Sequence, residues 1–213
     1  MSVMVIDYGS GNLRSAAKAL TVAAAQIANP PCVIVTNDPE QLRHAERIVL
    51  PGVGAFADCM AGLNALPGMV QALQEQVIAG GKPFLGICVG MQLLAERGFE
   101  HGVHDGLGWL SGEVRMLTPA DPTLKIPHMG WNQLTVTRPH PLLRGIASGA
   151  HGYFVHSYQF HAKDSAAMYA ETDYGGSVAA LVGRDNIAGT QFHPEKSQAV
   201  GLRLIANFLA WRP

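Results

Sequence analysis

Four short apolar runs, residues 3–6, 32–35, 48–50 and 83–87, are separated by stretches with helical patterning, and this alternation constrains the chain more than any other feature. Apolar runs of that length with amphipathic or alanine-rich segments between them read as buried strands of a parallel sheet joined by crossover helices. The first crossover is predicted from about Asn12 through Ala16 to Ala25, after a turn at Gly9-Ser10-Gly11. Asn37-Asp38-Pro39 starts a second, short helix, with a capping residue and a proline near its first turn. In a third, Met69, Leu73 and Val77 recur at i+4 spacing and Gly80-Gly81 closes the pattern. From Gly108 onward the rhythm changes to strand-like runs between Gly and Asp turns: residues 113–117, 134–137, 153–160, 167–170, 177–182 and 187–191. A last helix carries Val200, Leu204 and Phe208 on one stripe. The expectation is an α/β chain with a central, mostly parallel sheet, and one domain over residues 1–213 with no repeat or linker.

Charge narrows the partners. Lys and Arg number 15 against 16 Asp and Glu, so neither nucleic acid nor an anionic membrane has an electrostatic footprint to meet. With 48% hydrophobic and 15% charged residues the chain can bury a sizeable core, and small uncharged or zwitterionic substrates suit it better. Cys32, Cys59 and Cys88 are too few and too odd in number for a disulfide framework, which points to a reducing compartment. The N-terminus has no basic region, and Asp7 interrupts its apolar stretch too early for a signal sequence. No run approaches the roughly 18 apolar residues of a membrane span. A cytoplasmic location is expected.

The sharpest chemical feature is Gly86-Ile87-Cys88-Val89-Gly90, where an apolar strand runs into the helix-forming sequence Met91 to Arg97. Gly-x-Cys-x-Gly at that junction reads as a nucleophile elbow, its glycines letting a strained turn close while the thiol stays accessible. The helix N-terminus is expected to favour a thiolate. The chain's own glycine and cysteine frequencies give about 0.04 chance occurrences of the pattern. Cys32, inside a strand, and Cys59, inside a helical stretch, read as buried, inert cysteines.

A cysteine nucleophile needs a base, and the base an acceptor on its far ring nitrogen. Gln191-Phe192-His193-Pro194-Glu195 supplies both in one turn after a strand, with Pro194 fixing the backbone between His193 and Glu195. Arg47 to Leu50 leads into Pro51-Gly52-Val53-Gly54-Ala55-Phe56-Ala57, where backbone N–H groups can turn toward an oxyanion. That loop also fits Gly-x-Gly-x-x-Ala, but a dinucleotide fingerprint follows the first strand and wants an acidic residue at the end of the next. Glu75, near that spacing, falls in a helical pattern instead. His101 and His104 lie among glycines without cysteine or carboxylate partners at ligand spacing, so no metal is expected. The Asp7 to Gly11 turn lacks the Lys-Ser/Thr ending of a phosphate loop.

The elbow from Gly86 to Leu94, the loop Pro51 to Gly54 and the segment Gln191 to Ser197 occur in an order that resembles the class I, triad-type glutamine amidotransferases. Three further segments resemble one branch of that family, glutaminase subunits that deliver ammonia to a separate cyclase: Asp7 to Leu13, Pro127 to Asn132 and Tyr153 to Tyr158. The resemblance covers almost the whole chain. It departs from the pattern between Thr21 and Pro31, which is long and lacks the usual glycine. It implies a flavodoxin-like three-layer fold, L-glutamine as substrate, no cofactor, and a heterodimer with a (β/α)8-barrel cyclase. It makes Cys88 the nucleophile, His193 the general base and then acid, and Glu195 its orienting partner. Gly52, Gly54 and Gln92 would hold glutamine, Ser157 and Tyr158 would offer backbone contacts, and the N–H groups of Val53 and Val89 would form the oxyanion hole. For His128 to Asn132, a substrate or interface role stands beside a buried Trp131 with hydrogen-bonded neighbours. The glutaminase of another synthase in the family would share the triad without both segments 128–132 and 153–158. A flavodoxin-like protein using Cys88 as a redox sensor would leave His193 and Glu195 idle.

Overall fold

The computed structural model describes residues 2–25 and 27–213. In chain order the elements are β1 (Ser2–Ile6), α1 (Leu13–Ala24), β2 (Cys32–Thr36), a 3-10 turn (Pro39–His44), β3 (Arg47–Gly52), α2 (Phe56–Asn64), α3 (Met69–Leu73), β4 (Phe84–Cys88) and α4 (Val89–Gln92). There follow β5 (Arg97–Gly98), β6 (His104–Asp105), β7 (Gly112–Met116), β8 (His128–Gln133), β9 (Thr135–Val136), β10 (His151–His156), β11 (Tyr158–Ala162), β12 (Met168–Asp173), β13 (Ser177–Arg184), β14 (Ile187–Thr190) and α5 (Gln198–Ala210).

The main sheet runs β2-β1-β3-β4-β14-β13-β12-β9. From β2 to β14 every pairing is parallel; beyond β14 the strands alternate. Strands β3 and β4 are buried along their whole length, as strands covered on both faces must be. One helical group joins α1 to α5 and the other joins α2 to α3 and α4, which gives the layered α/β architecture expected from the sequence. Met69, Leu73 and Val77 are all fully buried, although the helix passes from α form into a π segment at Gln74–Ala79 before Gly80 and Gly81 end it. Asp38 caps the 3-10 turn by accepting from Glu40 N at 2.9 Å. The Thr21–Pro31 stretch contains Gln26, which lies outside the described residues; α1 ends at Ala24, and Ile27 N bonds Ala24 O at 2.9 Å. Among the described residues no helix is long and apolar enough to cross a membrane.

Four sequence expectations need correction. The helix after Cys88 is a single turn, not a run to Arg97, because the loop 106–110 takes its carbonyls: Leu107 N bonds Leu93 O, Trp109 N and Leu110 N bond Leu94 O, Gly108 N bonds Ala95 O, and Gly106 N bonds Glu96 O. The macrodipole support expected for a Cys88 thiolate shrinks with it. Residues 153–160 are not one strand: β10 pairs with β8 and β11 with β7, the break falling at Ser157, whose carbonyl accepts from Leu117 N at 2.8 Å. The segment His128 to Gln133 is the strand β8, and its Trp131 is 47% exposed, not buried. Cys32 is exposed on the edge strand β2, whereas Cys59 is fully buried as expected.

Arg47 is the largest of the fully buried side chains, and its partners explain why it can be. Its Nε donates to Phe208 O at 3.0 Å and its Nη2 to Trp211 O at 2.6 Å, so a cation from β3 satisfies one carbonyl in the last turn of α5 and that of the residue following the helix.

Candidate active site

Parallel pairing brings the carboxyl ends of β3, β4 and β14 side by side, the place where open α/β sheets bind ligands. Gly52 lies opposite Cys88 in the β3–β4 register, and Thr190 lies opposite Ile87 in the β14–β4 register. The loops that continue these strands therefore meet: Val53 and Gly54 after β3, Val89 after β4, and Gln191 to Glu195 after β14. A cavity of about 180 Å³ opens there, lined by Val53, Gly54, Cys88, Val89, Gln92 and His193, with Val155 to Tyr158 as its far wall. It is smaller than the roughly 300–1,000 Å³ of drug-sized sites and suits a ligand of amino-acid size. A larger, more open depression of about 460 Å³ around Val136, His140 and Arg144 holds no nucleophile and base.

Cys88 sits at φ 55°, ψ −112°, a strained conformation for a residue with a Cβ, as an elbow requires. The two elbow glycines are fixed by close approach. A Cβ on Gly90 would lie 1.8 Å from Leu50 O, and one on Gly86 would lie 2.5 Å from Gly90 O. Gly90→Ala is accordingly expected to lower stability by about 2–4 kcal/mol, since β3 and α4 would have to separate. A urea titration reads this as a lower midpoint, and an unchanged midpoint would show that the turn has room to slide.

His193 Nδ1 and Glu195 Oε1 are 2.8 Å apart, and both side chains are almost fully buried. The ring's Nε2 is also buried, yet makes no hydrogen bond within the chain and borders the cavity beside Cys88. Burial opposes charging of this imidazole, but the nearby Cys88 sulfur and then Glu195 outweigh it and push His193 up to about 9. Cys88 is thus near enough to favour the charged ring, although Nε2 has no hydrogen-bond partner within the chain. At neutral pH His193 is an acid with its proton available.

Gln92, buried in the cavity wall, donates from Nε2 to Tyr158 O at 2.9 Å and to Gln191 Oε1 at 3.0 Å. With both amide hydrogens committed, its carbonyl oxygen is what remains for a ligand. Gln191 in turn donates to Cys88 Sγ at 3.7 Å. Nothing in the sequence of the histidine segment gives Gln191 a role; only the pairing of β14 with β4 carries it to the sulfur. The Asp7 to Gly11 turn, which has no phosphate-loop ending, braces the loop after β3. Tyr8 Oη donates to Pro51 O at 2.7 Å, and Ser10 Oγ and Cys59 Sγ donate to Val53 O at 2.9 Å and 3.4 Å. Among the described residues no cluster of His, Cys, Asp and Glu could hold a metal ion.

A strained cysteine at a strand end, facing an imidazole oriented by a carboxylate, is the arrangement of a cysteine-dependent acyl-transfer enzyme. The family model for glutamine amidotransferase class-I matches residues 4–211, and the chain belongs to that family. Solved structures agree at the level of fold: a glutamine amidotransferase superposes with TM-score 0.73 at 21% identity, over 99% of this chain and 98% of that one. A glutamine amidotransferase from Thermotoga maritima gives TM-score 0.63 at 17% identity, over 92% of this chain and 76% of that one. Sequence narrows the family further. The chain is 59% identical to imidazole glycerol phosphate synthase subunit HisH of Rhodospirillum rubrum and 58% identical to that of Agrobacterium fabrum, over the full length of each chain. Within the class I amidotransferases it belongs with the HisH subunits of imidazole glycerol phosphate synthase.

Proposed function

We propose that residues 1–213 act as one glutaminase domain in which Cys88, His193 and Glu195 release ammonia from glutamine for a cyclase partner in histidine biosynthesis. The observation that carries this reading is the free, buried Nε2 of His193 beside Cys88, with Nδ1 held by Glu195. Glutamine lies in the cavity against Gly54 and Gln92, its amino-acid end on the backbone of Ser157 and Tyr158; Gly52, expected from the sequence to hold it too, is buried against Gly90 and Tyr8 and does not line the cavity. The Cys88 thiolate, steadied by Gln191 and the His193 imidazolium, attacks the side-chain carboxamide carbon. Charge collects on the carboxamide oxygen, which the N–H groups of Val53 and Val89 stabilise. His193 gives its Nε2 proton to the amide nitrogen, the C–N bond breaks, and ammonia leaves a glutamyl thioester on Cys88. Acylation takes the Cys88 sulfur away as an influence favouring the imidazolium, and His193, having given up its proton, is left as a base. It then takes a proton from water, which attacks the thioester and frees glutamate and Cys88. No cofactor enters these steps.

The ammonia acceptor belongs to the partner, a (β/α)8-barrel cyclase acting in the same cytoplasmic compartment. The partner's docking face is β8 with β10, where Met129 and Trp131 are 63% and 47% exposed. The same two-stranded sheet contributes Val155 and His156 to the glutamine cavity, so docking and turnover share an element. Free turnover would waste glutamine, and in this reading Val53, on an exposed loop beside Gly54 at φ 101°, withholds its N–H until docking turns its peptide, a turn the flanking glycines make inexpensive. One missing oxyanion donor changes the rate by roughly 10²–10³. Glutaminase activity is therefore expected to be nearly silent in the chain alone and to rise stepwise with the cyclase and with the cyclase plus its ribonucleotide ligand. A lone chain as fast as the liganded complex would end the gating idea; no hydrolysis under any condition, and no glutamine-protected labelling of Cys88 by a glutamine-mimicking electrophile, would end the glutaminase reading.

A further inference from the structure

Two buried histidines outside the triad stand opposite each other on β8 and β10. His128 Nδ1 is 3.0 Å from His156 Nε2, and His156 Nδ1 is 2.9 Å from Tyr158 O. At the other end, Asn132 Nδ2 is 3.2 Å from His128 Nε2 and 2.8 Å from Asp173 O. The two ends of this relay decide every proton in it. Asn132 Oδ1 accepts from Gln133 N at 2.8 Å, so the amide nitrogen is the end that faces His128 and must donate. His128 Nε2 therefore accepts, and its proton lies on Nδ1, which donates to His156 Nε2. His156 in turn carries its proton on Nδ1 and donates it to Tyr158 O, a carbonyl that can only accept. An imidazolium at either position would set one N–H against another.

We propose that His128 and His156 are positioning residues: a neutral pair, locked in the Nδ1–H tautomer, that holds the Tyr158 peptide in place for glutamine binding. This rests on the glutaminase reading above and adds residues to it. His128 is clamped with its ring stacked between Phe154 and Tyr174, centroids 4.7 Å and 4.0 Å away, and Tyr174 is itself tied to Lys125 O at 2.6 Å. The Tyr158 carbonyl receives two donors, His156 Nδ1 and Gln92 Nε2, so both its lone pairs are used and the peptide cannot rotate without losing both. Burial also holds both imidazoles neutral, each pushed down to about 4. The relay therefore joins β12, through Asp173, and the β8–β10 sheet to the wall where the amino-acid end of glutamine sits.

The test combines ring-nitrogen NMR with kinetics of the cyclase complex. In the wild-type chain near neutral pH, both histidines are expected to show a protonated Nδ1 and a bare Nε2. An Nε2–H tautomer or an imidazolium at either one overturns the proposal. His128→Phe keeps the stacked ring but removes the donor to His156, and is expected to raise KM for glutamine about tenfold with kcat within about threefold. His156→Asn, which retains a donor near the Nδ1 position, should raise KM less than His156→Phe. A merely structural role predicts lost protein or lost kcat with KM unchanged, and that outcome overturns the positioning role. Should the wild-type complex itself fail to hydrolyse glutamine, the glutaminase reading fails while the tautomers can still be read.

Discussion

Cys88→Ala is expected to abolish glutamine hydrolysis while leaving ammonia-dependent synthesis by the assembled complex intact. Loss of a covalent nucleophile costs on the order of 10⁴–10⁶ in rate where an enzyme has no substitute, and neither other cysteine can serve. Cys59 is fully buried in α2, with its Sγ directed at Val53 O. Cys32 opens β2, three strands from β4, which is roughly 14 Å at the usual strand spacing, and it sits at the opposite end of the sheet from Cys88. Alanine should also relax the strained φ 55° turn no further than cysteine does, since both carry a Cβ, so the fold and the docking face persist. The measurement is paired: glutamine-dependent and ammonia-dependent product formation by the same preparation. Residual glutaminase within about tenfold of wild type would remove Cys88 from the nucleophile's role, and loss of both activities would show that the substitution damages the fold.

The parts of this site that can be read from sequence are those whose constraints are local. Gly86 is fixed by the elbow's own turn, which leaves no room for a Cβ, and His193 and Glu195 meet across a single proline; Gly90 shows in the same motif, although what it avoids is Leu50 O on β3. Strands β1, β3 and β4 show themselves as apolar runs because both of their faces are covered. What the sequence hides depends on distant partners. Helical propensity from Met91 to Arg97 is real, but it loses to the loop 106–110, whose N–H groups claim the carbonyls that would have continued the helix. The division at Ser157 follows from the choice of β8 by one half and β7 by the other, neither visible in the run itself. Gln191 reaches Cys88 across 103 positions, and Arg47 reaches α5 across 161. The pairing of His128 with His156 needs the register of β8 against β10, two strands separated in the chain by β9 and the segment after it. Residue type announces what a side chain can do, but register decides which neighbour it does it to.

His193→Ala is expected to lose more glutaminase activity than Glu195→Ala, and the geometry says why the two should differ. His193 supplies the proton for the departing ammonia and then accepts one from water, and general acid–base catalysis of this kind contributes roughly 10²–10⁴-fold. No other ring replaces it: His156 shares the cavity wall, but its Nδ1 is committed to Tyr158 O and its Nε2 to His128. Glu195 touches only Nδ1, through one oxygen; its Oε2 is buried without a partner. Removing the carboxylate frees the ring to turn and takes away one of the two influences that raise its affinity for a proton, but the Cys88 sulfur still supplies the other. Water entering the space left by a shortened side chain can also accept from Nδ1, restoring part of the orientation. Single-turnover thioester formation in the liganded complex separates these contributions, because it reports the acid step alone. His193→Ala should then form thioester roughly 10²–10⁴-fold more slowly than wild type, with Glu195→Ala between the two. Equal, small losses in both variants would mean that the pair is a buried ion pair serving the fold, and the base for Cys88 would have to be sought elsewhere in the cavity wall.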